Sequence, residues 1–480
     1  MAKPYLLEFY SIATLVVLKF ISCYEVSFCD RTPFPKLCNL IIGQELESRD
    51  FGINMPMSQA REALEDYLTT YGQTTFDDQA MEDWIDCLEL YKDVINHLNL
   101  LNVNPKNAEN WLANATFNHQ TCLNGFKDLK VHVDVLSGNK PSTSKFSTTG
   151  LRGFTQLAEG AMIEANVVVA QDGSGDFGTI NEAIEATQKQ RIGTDRYVIY
   201  VKAGIYKENI VIGQSMPNLM LIGDGIDATV ITNDKNNHQG LLTDKTATVQ
   251  VWGLGFIAMG ITFENTAGPE YGQAIALLSA SDFSVFYRCS FKGFQDTLCL
   301  LHYRQFYREC DIYGTVDFIF GDASGFLQNC NIYVRTPLPG QQNTITAQGR
   351  VEETSTTGFV IHNSRISSSP DSTPANGPVM TYLGRPWRDY SRVVYIKCDF
   401  DIMIDPTGWL PYNGNSAAFE RVYYAEFLNK GIGANTDGRV TWPGYHPLTS
   451  GEEAEQFSAR NFFAGESWIP QTGVPFYYGI

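Results

Sequence analysis

Among its ten cysteines the 480-residue sequence has no Cys-x-x-Cys pair, and it has no Gly-x-Ser-x-Gly elbow, no His-Glu-x-x-His and no glycine-rich loop ending in Gly-Lys-Ser/Thr. The first absence argues against zinc-ribbon and thioredoxin-type sites, the others against a serine esterase elbow, a zinc hydrolase and a phosphate-binding loop. A Ser-His-Asp triad is defined by geometry, so residue order alone leaves it open. The seven histidines, His97, His119, His132, His238, His302, His362 and His446, stand in no ligand-like spacing. A zinc hydrolase is therefore not expected. Basic residues are scarce as well: 35 Lys and Arg face 53 Asp and Glu, a net charge of −18. That balance argues against nucleic acid or an anionic membrane as the main partner, because phosphate binding needs clustered cations. The acid is spread along the chain, with 20 acidic against 13 basic residues through residue 160, a net −7, and −11 beyond it. No apolar run reaches the roughly 20 residues that a membrane-spanning helix needs. What is abundant is 44% hydrophobic residues with 41 Gly, 29 Phe, 24 Tyr and 7 Trp, enough for a sizeable core and suited to turn-rich β structure.

Lys3 precedes an apolar run from Phe9 to Leu18, followed by small residues around Ser22. This pattern predicts a secretory signal over residues 1–24 and no membrane anchor in the mature form; an uncleaved anchor or apolar helix is the alternative. Trp84, Leu88, Tyr91, Ile95 and Leu98 recur at spacings of four and three, one face of an amphipathic helix. Similar mixtures in 58–71 and 111–126 make residues 25–135 read as an all-α four-helix bundle. Cys29 and Cys38 bracket a short hairpin, while Cys87 and Cys122 lie on two different predicted helices. In an oxidising compartment, pairing 29 with 38 and 87 with 122 would staple this bundle; buried free thiols are the other reading. The sole Asn-x-Ser/Thr sequon, at Asn114, falls here and is a candidate glycosylation site. Residues 136–165, rich in Ser, Thr, Gly, Pro and Lys, read as an exposed linker.

From residue 166 the pattern changes to short β-rich runs separated by Gly, Asn and Asp. Phe286, Phe306 and Phe326 stand twenty apart, and Cys289, Cys310 and Cys330 follow at 21 and 20. A period near twenty residues predicts stacked coils, with residues one period apart forming ladders and the cysteines an internal ladder rather than a redox centre. In the same register Gly293-Phe294-Gln295-Asp296 and Gly314-Thr315-Val316-Asp317 share a Gly-x-x-Asp frame displaced by 21. Two carboxyls on neighbouring coils cannot both ionise freely, so one becomes a proton donor and the other a carboxylate able to attack. Turn aspartates bonded to backbone are the competing explanation.

At this point the residues resemble a known family. Gly204-Ile205-Tyr206-Lys207-Glu208, Gly272-Gln273-Ala274-Ile275-Ala276-Leu277, Gln295-Asp296-Thr297-Leu298, Gly314-Thr315-Val316-Asp317-Phe318-Ile319-Phe320-Gly321 and Leu383-Gly384-Arg385-Pro386-Trp387 resemble, in order and spacing, the motifs of plant pectin methylesterases. The first part looks like the inhibitor-type helical pro-region that many plant members carry. The resemblance implies an all-β right-handed parallel β-helix over 166–480 that hydrolyses the methyl esters of homogalacturonan (pectin), giving pectate and methanol without metal, as a secreted cell-wall enzyme. It implies Asp317 as nucleophile, Asp296 as acid then base, Gln273 and Gln295 as oxyanion donors, and Arg385 as the partner holding Asp317. Thr243 and Trp387, with Gln273 and Arg385, look like substrate-binding positions. A monomer is expected, with the inhibitor-type part able to meet the esterase part of its own chain or of another.

The sequence departs from the family pattern in three places. Gly408-Trp409 is followed by Leu410, Pro411 and Tyr412 where a second tryptophan is common, the boundary region carries no dibasic pair, and the catalytic part is acidic. Two other functions remain open from the residues: a pectate lyase or polygalacturonase on the same fold, and an esterase-binding inhibitor-type protein with an inert β-helix.

Overall fold

The computed structural model describes residues 154–156, 162–191, 193–371 and 379–480. The predicted signal, the helical bundle, Cys29, Cys38, Cys87, Cys122 and the Asn114 sequon lie outside the described residues. Two short antiparallel strands, Phe154–Gln156 and Met162–Glu164, occur within the stretch read as linker.

Beyond them, 26 strands build three parallel sheets of eleven, eight and seven strands, the walls of a right-handed parallel β-helix. One coil shows the rule. Ser284–Tyr287 lies in the first sheet, Ser290–Lys292 in the second and Leu298–Leu300 in the third; the next coil repeats this with Arg304–Arg308, Asp311–Gly314 and Ile319–Gly321. Alternate side chains of each strand fill the interior, so like residues stack: Phe286 on Tyr307 with ring centroids 4.8 Å apart, and Phe263 on Phe291 at 5.5 Å. A helix at Ile180–Gln190 buries Ile180, Ala183 and Ile184 against the first coils, which covers part of an otherwise open end of the solenoid. Its Thr179–Glu182 capping box starts it, and the Glu208 carboxylate accepts the Ile180 and Asn181 backbone N–H groups at 2.9 Å. Residues 172–176 form a turn ahead of this helix.

The phenylalanine period needs one correction. Phe306 pairs with Phe326, but Phe286 pairs with Tyr307, and Val285 takes the rung beside Phe306. The coil there is 21 residues long, and a slip of one residue reverses the face. Phe286 therefore points inward, whereas Phe306 and Phe326 point outward beneath C-terminal residues, Phe463 stacking on Phe326 at 5.2 Å.

The cysteine ladder is present. At the corner between the first and second sheets, Arg288, Glu309, Asn329, Asn363 and Lys397 adopt left-handed φ of 51°, 52°, 56°, 49° and 53°. The next residues, Cys289, Cys310, Cys330, Ser364 and Cys398, turn into the core. The thiols of Cys310 and Cys398 donate to carbonyl oxygens of Phe286 and Ile361 at 3.3 Å. Cys289, Cys299, Cys310, Cys330 and Cys398 are all buried and unpaired. Burial pushes the Cys398 thiol up to about 12, and the ladder as a whole is packed into the solenoid core.

One buried carboxyl has a measurable consequence for stability. Gln348 Nε2 donates to Asp322 Oδ1 from 3.0 Å and Thr357 donates to the same oxygen, yet burial outweighs both and pushes this group up to about 7. Its unfolded value is about 3.9, so between these two values the native state holds a proton that the unfolded chain has released. This contribution to stability is complete below the unfolded value and declines as pH rises to about 7. Asp322→Asn keeps a carbonyl acceptor for both donors and removes the titration. Thermal melts from pH 4 to 7 should fall less for the variant than for the parent; parallel profiles would contradict the assignment.

Candidate active site

Asp296 and Asp317 occupy equivalent corners between the second and third sheets. Pairing of Leu298 with Ile319 fixes the offset of 21, and the Asp296 backbone N–H donates to the Val316 carbonyl at 3.0 Å, so the two residues lie one coil apart. Both have left-handed φ, 61° and 52°, uncommon for residues other than glycine, Asn and Asp and often found where a site imposes it. The glycine three residues earlier is a packing requirement: a Cβ on Gly314 would come within 2.2 Å of Phe318 Cβ. Gln273 and Gln295 form a parallel backbone bridge on adjacent coils, and Gln295 directly precedes Asp296 in the chain.

Asp317 is held on three sides. Arg385, just after strand Thr381–Gly384, donates through Nε to Oδ1 at 2.7 Å and through Nη2 to Oδ2 at 2.6 Å. The Thr344 hydroxyl donates to Oδ1 at 2.6 Å and accepts the Asp317 backbone N–H at 2.8 Å. The two-pronged guanidinium is a charge-assisted pair that stabilises a carboxylate. Burial tends to lower the Arg385 pKa, but the bonds to Asp317 and its charge outweigh that and hold the guanidinium above its ordinary value.

Asp296 has the opposite surroundings. Burial, and then the neighbouring Asp317 charge, push its carboxyl well above the usual range, while Arg385 pulls the other way more weakly. Both aspartates are nearly enclosed, 8% and 7% exposed. The corner thus holds one carboxyl whose pKa is raised and one paired with a cation, the division of roles that two stacked carboxyls allow.

The structure brings Asp296, Asp317 and Arg385 together, and Gln273 and Gln295 lie on the adjoining rungs of the same ladder. Trp387 follows two residues after Arg385, half-buried, its ring edge-on to Phe320 at 6.1 Å and lying over Gly349, where any Cβ would come within 2.6 Å of the indole. Thr243 sits on the preceding coil. Its carbonyl accepts the Thr246 hydroxyl at 2.6 Å, and Thr246 Oγ1 accepts the backbone N–H of Ile275, two residues past Gln273. Tyr412 places its ring 4.8 Å from the Arg385 guanidinium carbon, and burial raises its phenol. Thr344 is the residue that sequence reasoning missed. It follows Asp317 by 27 positions rather than 21, because a loop between strands Asn331–Val334 and Asn343–Gln348 breaks the period.

The fold and site together define a parallel β-helix enzyme with one carboxyl of raised pKa beside another paired with an arginine. The chain belongs to the pectinesterase family of carboxylic ester hydrolases: residues 166–466 match that family. Residues 26–158 match the family described as plant invertase/pectin methylesterase inhibitor. The chain is 43% identical to pectinesterase 2 of Citrus sinensis, over 95% of this chain and 94% of that protein. It is 42% identical to probable pectinesterase/pectinesterase inhibitor 17 of Arabidopsis thaliana, over 100% and 99%. Pectin methylesterase from carrot superimposes with a TM-score of 0.65 at 46% identity, covering 67% of this chain and all of that one.

Proposed function

We propose that this chain is a pectin methylesterase in which Asp317 attacks the methyl ester of a galacturonate unit and Asp296 serves as acid and then base. The observation that carries this reading is the unlike environment of the two carboxyls: Arg385 forks onto Asp317, whereas burial and the Asp317 charge raise the Asp296 pKa well above the usual range. A lone pair of Asp317 forms a bond to the ester carbon, and the carbonyl π pair moves to its oxygen. The Gln273 and Gln295 amides are the donors for that oxyanion. As the C–O bond to the methoxy group breaks, Asp296 gives its proton to the departing oxygen, and methanol leaves. Asp296, now a carboxylate, takes a proton from water as the water oxygen attacks the acyl carbon; the bond to Asp317 breaks and both groups return to their starting states. Trp387 and Thr243 are proposed to bear on neighbouring sugar units, an indole face being a platform for a pyranose.

The substrate places the protein in the plant cell wall, consistent with the signal expected over 1–24. The inhibitor-type part is proposed to carry disulfides 29–38 and 87–122 and a glycan at Asn114.

Incubating the full chain with highly methylated pectin tests the reading. Methanol release without new reducing ends or unsaturated products is expected. Depolymerisation without methanol would favour the lyase or polygalacturonase reading, and silence, even after proteolytic release of residues 166–480, the inert binding protein. Within the esterase reading, Gln295→Leu should lower kcat by about 10²- to 10³-fold, the usual effect of losing one oxyanion donor, with KM changing far less. A change confined to KM would show that Gln295 only binds sugar.

A further inference from the structure

We propose that Thr344 is a positioning residue that selects Oδ2 of Asp317 as the attacking atom. The inference rests on the reading of Asp317 as the nucleophile. It begins from the unequal use of the two carboxylate oxygens. Oδ1 accepts from Arg385 Nε at 2.7 Å and from the Thr344 hydroxyl at 2.6 Å, whereas Oδ2 accepts from Arg385 Nη2 at 2.6 Å. An ionised carboxylate offers about two acceptor sites on each oxygen. Oδ1 has both occupied, and Oδ2 has one left with which to form a bond to carbon.

The direction of the Thr344 hydrogen bond is fixed by its second contact. Thr344 Oγ1 accepts the Asp317 backbone N–H at 2.8 Å, so the single hydroxyl proton is free to point at Oδ1. Thr344 is 1% exposed within strand Asn343–Gln348, and a β-branched side chain in a strand has little rotamer freedom. One side chain thus clamps both the left-handed backbone of Asp317 and the rotation of its carboxylate. Arg385 alone leaves the two oxygens equivalent; the Thr344 hydroxyl breaks that symmetry. In the reaction the Oδ2 lone pair forms the bond to the ester carbon and recovers it when water displaces the acyl group, while Oδ1 keeps both donors throughout.

The test compares Thr344→Val, nearly the same shape without the hydroxyl, with Thr344→Ser and with Thr346→Val. Thr346 is a buried residue of the same strand whose hydroxyl bonds the Leu383 carbonyl at 2.9 Å, so its replacement reports the cost of losing a buried threonine hydroxyl near the site. Loss of a hydrogen bond to a charged group predicts kcat for Thr344→Val about ten- to a hundredfold lower, with KM for methylated oligogalacturonate nearly unchanged. Thr344→Ser should recover most of the rate, and Thr346→Val should lose melting temperature without that drop in kcat. Where valine is not tolerated by the fold, Thr344→Ala gives the same kcat-against-KM reading. Parental kcat in Thr344→Val, a serine variant as slow as valine, or an equal fall in Thr346→Val would overturn the inference. Activity surviving in Asp317→Asn would instead overturn the nucleophile reading beneath it.

Discussion

Asp317→Asn should leave a folded protein whose methanol release is lower by roughly 10⁴-fold or more, the scale on which covalent hydrolases fall when the nucleophile is removed. The amide keeps a carbonyl oxygen for Arg385 and for the Thr344 hydroxyl, so the ladder of side chains along the corner survives and binding of the polysaccharide should change little. What is lost is the charged lone pair that the proposed attack uses to form the bond to carbon. A second readout follows from the electrostatics. The Asp317 charge is one of the two causes that raise the Asp296 carboxyl, and Arg385 acts in the opposite direction. Removing the first and keeping the second should bring Asp296 down towards the ordinary carboxylate range, measurable by carbon NMR titration of labelled aspartate. An inactive variant with this downward shift locates the lost charge beside Asp296. An active one would mean that water attacks the ester directly and that Asp317 only shapes the site.

Much of this arrangement could be read from the chain because a β-helix converts sequence period into spatial proximity. The offset of 21 between Asp296 and Asp317 is also the coil length, so a linear count predicted a contact. The same count misassigned Phe286, since twenty residues is one short of that coil and a strand turns its side chains over at every step. Periodicity stopped being informative where the coils lengthen. Thr344 and Arg385 lie 27 and 68 residues beyond Asp317, after insertions whose length no repeat specifies. Arg385 was reached through its motif, while Thr344, a threonine among many in a β-rich chain, carried no mark of its own. The helix cap of Glu208 and the buried Asp322 depend on contacts across coils that composition does not encode.

The second large effect concerns Asp296, whose proton the proposed cycle uses in one half and whose charge it uses in the other. Methoxide is a poor leaving group, so replacing the acid with Asn should lower kcat on methylated pectin by about 10²- to 10⁴-fold. An aryl ester of galacturonate supplies a leaving group that departs without a proton. With that substrate Asp296→Asn should show a rapid burst of one phenol per site and then stall, because the water that must release the acyl group has lost its base. The pH dependence has a definite sign. In the proposed cycle the starting form is protonated Asp296, and burial with the Asp317 charge raises its pKa. The protonated fraction therefore persists above the pH at which an ordinary aspartate would have ionised, and the rate on methyl esters falls as pH rises through the raised value. In Asp296→Asn that alkaline limb should be absent from the slow residual reaction. Persistence of the same limb in the variant would assign it to another group, and a phenol burst no faster than methanol release would show that Asp296 assists attack on the carbonyl rather than departure of the alcohol.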